Sequence, residues 1–129
     1  MVHRHAHYWL CCTGFNTPEI IAELGGINAR VQTAARPTSK FGPYDYIFID
    51  ASEEDASVDR LLELLVEKLE PHEQAISKWG CNLTSGVKVT VCTNEGKHIE
   101  LVSSEVLGRL SRLNLQVSFV YESVSPTSA

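Results

Sequence analysis

No apolar run in this sequence of 129 residues approaches the ~18 that a membrane-spanning helix requires. The N-terminus lacks the basic, then apolar, then small succession of a secretory signal, because His3, His5 and His7 interrupt it, so a cytoplasmic location is expected. Cysteine is sparse. Cys11, Cys12, Cys81 and Cys92 form no Cys-x-x-Cys pair, and a disulfide framework is not expected in a reducing compartment. The adjacent Cys11 and Cys12 read as structural thiols, since a mid-strand position supplies neither a helix N-terminus nor a cation to activate them. Basic surface is lacking too. The net charge is −5, and the stretch from Asp50 to Glu73 holds nine acids and two bases, a formal −7, leaving +2 for the rest. A nucleic-acid binder shows the opposite bias, so no direct nucleic-acid partner is expected.

Catalytic signatures are absent as well. There is no phosphate-binding loop, dinucleotide fingerprint, Gly-x-Ser-x-Gly elbow or His-Glu-x-x-His pair. His98-Ile99-Glu100 echoes half of the zinc deaminase signature, but no cysteine follows Cys92 to complete it. No catalytic residue and no cofactor is nominated, and the expectation is a binding module rather than an enzyme.

What is present suffices for one core. Hydrophobic residues make up 43% of the chain, which reads as a single domain over 1–122 with a polar, disordered tail over 123–129. His3–Thr13, Ala29–Ala34, Tyr44–Ile49 and Val87–Cys92 read as strands, as do the shorter His98–Val102 and the alternating Leu115–Tyr121. Thr17 is placed as the N-cap of a short helix with Pro18 in its first turn, ended by Gly25-Gly26. Val58, Leu61, Leu62, Leu65 and Leu69 recur at helical spacing; Pro71 starts a further helical segment that Gly80 closes. Ser103 caps the last helix and Asn114 stops it. The turn-rich 36–43 stretch is a loop. The expected fold class is α+β: a ferredoxin-like sandwich, mainly antiparallel, with helices packed on one face and an extra strand and helix.

The first strand, Pro18-Glu19-Ile20-Ile21 leading to Leu24-Gly25, the Leu-rich helix closing on Leu69-Glu70-Pro71, and Ser103 through Tyr121 together resemble the bacterial domain of unknown function 4279. The resemblance spans about His7 to Glu122 and carries over no catalytic residue. It implies an immunity role, neutralising a toxin.

Two groups of residues are candidates. Asp59, Glu63, Glu67 and Glu70 fall on one stripe of the central helix. Like charges four apart cost a helix a few tenths of a kcal/mol each, so the stripe is either a solvated face or a docking surface for a basic partner such as a toxin domain. His3, His5 and His7 alternate on one strand face ~7 Å apart, too wide for neighbours to chelate unless the strand bends, so no metal site is expected; a metal- or ligand-binding sensor is the alternative. Homodimerisation through an edge strand stays open.

Overall fold

A computed structural model describes residues 2–13, 16–25, 27–34, 44–94 and 98–123. The expected 36–43 loop and the tail after Ser123 lie outside these residues. The strands are β1 (Val2–Thr13), β2 (Arg30–Ala34), β3 (Tyr44–Ala51), β4 (Thr84–Thr93) and β5 (Val117–Ser123). The helices are α1 (Thr17–Glu23), α2 (Val58–Leu69), α3 (Glu73–Asn82) and α4 (Ser104–Arg112), with a 3₁₀ turn, Glu70–His72, between α2 and α3.

The sheet order is β2-β3-β1-β4-β5. β1 pairs antiparallel with β3 and β4, β2 pairs antiparallel with β3, and β5 lies parallel to β4. Strands one to four are thus the interleaved ferredoxin-like arrangement, and α4–β5 is the added helix and strand. The fold is α+β as expected.

Alternation decides which face is covered. Ala6, Tyr8, Leu10 and Cys12 of β1, Ile47, Ile49 and Ala51 of β3, and Val87, Val89 and Val91 of β4 are buried. They meet Leu61, Leu62, Leu65, Val66 and Leu69 of α2, together with Ile76, Val106 and Leu110 from α3 and α4, in one cluster. Ser57 starts α2, its hydroxyl accepting from the Arg60 amide at 3.1 Å, and Ser103 starts α4 likewise through the Val106 amide at 3.2 Å.

Four expectations need correction. His98–Val102 forms no strand: Ile99 and Leu101 are each 82% exposed, while the Glu100 side chain is only 7% exposed and bonds Arg4 and His98. The alternation there points its apolar residues at solvent. Asn16 rather than Thr17 is the N-cap of α1, because the Thr17 hydroxyl donates to Asp45 Oδ2 at 2.6 Å. Gly80 does not end α3, which runs on to Asn82; the Leu83 amide still bonds the Trp79 carbonyl at 2.8 Å. Ser123, placed in the tail from sequence, closes β5.

Candidate open-face groove and acidic seam

The odd-numbered residues of β1 point to the face of the sheet opposite the helices, which no other element covers among the described residues. Strand pairing sets Trp9 opposite Phe48 and Gly86, Cys11 opposite Tyr46, and His7 opposite both Asp50 and Lys88. The result is a groove of about 610 Å³ lined by His7, Trp9, Gln32, Tyr46, Phe48 and Lys88 among others. That volume is in the ~300–1,000 Å³ range of small-molecule sites.

The aromatic floor is ordered by ring contacts. Tyr46 and Phe48 stack at 6.1 Å, and His7 meets Phe48 edge-on at 5.2 Å. The Arg30 guanidinium covers Phe48 at 4.5 Å from the ring centre. Gly86 lets the indole of Trp9 lie against β4: a Cβ there would stand 3.3 Å from Trp9 Nε1 and 3.3 Å from the Gln116 carbonyl oxygen. Lys88 is the charged side chain among its lining residues, with Arg30 over Phe48 and Asp50 at one end beside it.

At one end of the groove stand His5, His7 and Asp50. His5 Nε2 is 3.0 Å from Asp50 Oδ1, and the Nδ1 atoms of His5 and His7 are 3.5 Å apart. Arg30 donates to both Asp50 oxygens at 3.3 Å. Burial would raise the Asp50 carboxyl, but the Arg30 hydrogen bond and charge, with His5 and His7, outweigh it and hold the group below its ordinary range. His7 is held below the usual imidazole value by burial first and by His5 second, Asp50 opposing. His3 is not a member of this cluster. Asp50, Trp9, Tyr46, Phe48 and Lys88 were not singled out from sequence. The alternation of β1 and β3 carried the signal, but only the cross-strand register brings these residues together.

The acidic stripe is divided. Asp59 Oδ1 accepts the Ser103 amide at 2.8 Å, tying α2 to the start of α4. Glu70 takes a two-pronged contact from Arg109 of α4, which lowers its carboxyl below the ordinary range. Glu63 is 3.4 Å from Arg60, and Glu67 is exposed. Two of the four carboxylates therefore hold α2 and the 3₁₀ turn that follows it to α4.

Among the described residues, no helix is long and apolar enough to cross a membrane. No family model matches this sequence, and neither a curated protein nor a solved structure matches it.

Proposed function

We propose that this chain is a binding module rather than an enzyme, and that it takes a small anionic aromatic ligand on the open face of its sheet. The observation that carries this reading is the pairing of an aromatic floor (Trp9, Tyr46, Phe48) with the Lys88 ammonium in one groove, where the nearby Asp50 carboxylate is already engaged by Arg30. A planar ring stacks on the floor, and its anionic group meets the Lys88 ammonium where the surrounding rings lower the local dielectric. Titration with 2-naphthoate, followed by Trp9 fluorescence and amide chemical shifts, is expected to perturb β1, β3 and β4. Lys88→Gln should weaken binding about tenfold, equivalent to ~1.4 kcal/mol. The neutral 2-naphthalenemethanol should bind the parent no better than naphthoate binds that variant. Equal binding of acid and alcohol to the parent would refute the charge assignment.

A second reading, inhibition of a basic protein such as a toxin domain, keeps its support from Glu63 and Glu67, which remain on the solvent side of a segment carrying −7. It is also what the resemblance to the domain of unknown function 4279 implies. Replacing Glu63 and Glu67 by Lys should slow association with such a partner and flatten its salt dependence, because rim charges act mainly on the encounter rate. Unchanged association kinetics would remove α2 from the interface.

A further inference from the structure

We infer that His5, His7 and Asp50 form a binding site for one divalent transition-metal ion of the zinc class at the end of the open-face groove. Each of the three side chains offers one ligand atom, and these atoms all lie within 4.8 Å of one another. An ion bound at ~2.0–2.2 Å in tetrahedral geometry sets its ligands roughly 3.3–3.6 Å apart. Two of the contacts, 3.0 Å from His5 Nε2 to Asp50 Oδ1 and 3.5 Å between the His5 and His7 Nδ1 atoms, are close to that spacing. His5 now uses a different nitrogen for each neighbour, so binding asks its ring to turn and present one of them. The side chain is 42% exposed, which leaves room for that rotation.

The chemistry of the donors narrows the ion. Two imidazoles and one carboxylate favour zinc, copper, nickel or cobalt over magnesium and calcium, which prefer all-oxygen shells. Two neutral imidazoles and a carboxylate carry one negative charge, so a divalent ion with these three ligands carries +1, beside the further positive charge of Arg30 on Asp50. Asp50 is held in place by its neighbours. Arg30 hydrogen-bonds its carboxylate, and the Lys68 ammonium donates to its main-chain carbonyl at 2.7 Å. Such outer contacts orient a ligating carboxylate. Three protein ligands leave a coordination position for water or an added anion. His7 borders both this cluster and the aromatic groove.

The experiment is a titration of zinc chloride into untagged, chelator-stripped protein by calorimetry, with cobalt(II) absorption reporting coordination geometry. One equivalent is expected to bind saturably, and calcium chloride is expected to give no heat. His5→Gln, His7→Gln and Asp50→Asn should each weaken zinc by more than tenfold, at least the loss typical of an outer-shell partner. His3→Gln should stay within twofold of the parent. Zinc is titrated without naphthoate and naphthoate without zinc, so failure of the groove reading and failure of the metal site are separable. Far-UV circular dichroism on each variant establishes that the fold is retained. Absence of saturable binding would overturn the site, as would parental affinity in Asp50→Asn or an equal loss in His3→Gln.

Discussion

Replacing Leu62 with alanine is expected to remove about 2–5 kcal/mol of stability, a large part of what a domain of this size holds. Leu62 is fully buried on the inner face of α2, among neighbours contributed by the sheet and the other helices. The loss combines the transfer free energy of the deleted methyl groups with the cavity left in a core whose surrounding strands cannot collapse inward. Leu107→Ala is the matched control. Leu107 sits on the outer side of α4 at 41% exposure, so truncation there should cost well under about 1 kcal/mol. Urea unfolding of both variants compares them directly. A loss below ~1 kcal/mol for Leu62→Ala would mean that α2 is not packed on the sheet as described.

Glu100→Gln is expected to give the second-largest loss, roughly 1.5–3 kcal/mol at neutral pH, the usual range for hydrogen bonds to a charged group. Its carboxylate accepts from Arg4 of β1 and from His98 Nε2 at 2.7 Å, and it is nearly shielded from solvent. Burial alone would raise its proton affinity, but the bonds from His98 and Arg4 and their charges prevail, so the folded carboxyl lies below its ordinary value. A carboxyl depressed in the folded state stabilises fully above its unfolded value near 4.3 and loses that contribution as pH falls through the folded value. The stability gap between parent and Glu100→Gln should therefore be fully present above pH ~4.3 and narrow progressively below it. A gap that does not change between pH 7 and pH 3 would assign the loss to packing instead of charge.

The elements legible in the sequence were those whose pattern and burial agree. α2 showed its leucines at helical spacing and buries them; β3 and β4 alternate and bury one side; Ser103 both reads and acts as a cap. The 98–102 stretch failed because alternation reports two faces without saying which is inward, and there the carboxylate went in. Phe119 and Tyr121 alternate as expected, yet they are 40% and 50% exposed on the outermost strand, which has one neighbour in the sheet. The histidines illustrate a further limit. Spacing along β1 placed their backbones too far apart, but the rings of His5 and His7 lean to 5.2 Å and their carboxylate comes from β3. The acidic stripe was recognised as a stripe; that α4 lies along it and engages Asp59 and Glu70 depended on tertiary packing.

The central position of β1 has a consequence for the order in which the chain can assemble. This strand leaves the ribosome before both of its partners, β3 on one side and β4 on the other, with Ala6 opposite both Ala51 and Val89. Until β4 has emerged, a strand rich in aromatic and apolar residues has an open edge and no closed core. Pairing across so much intervening chain is slow because loop closure must precede any gain from contact. Nascent chains halted before Thr84 should thus be the aggregation-prone species, and the parallel β5, which docks on β4 alone, joins a sheet whose other four strands are already in place.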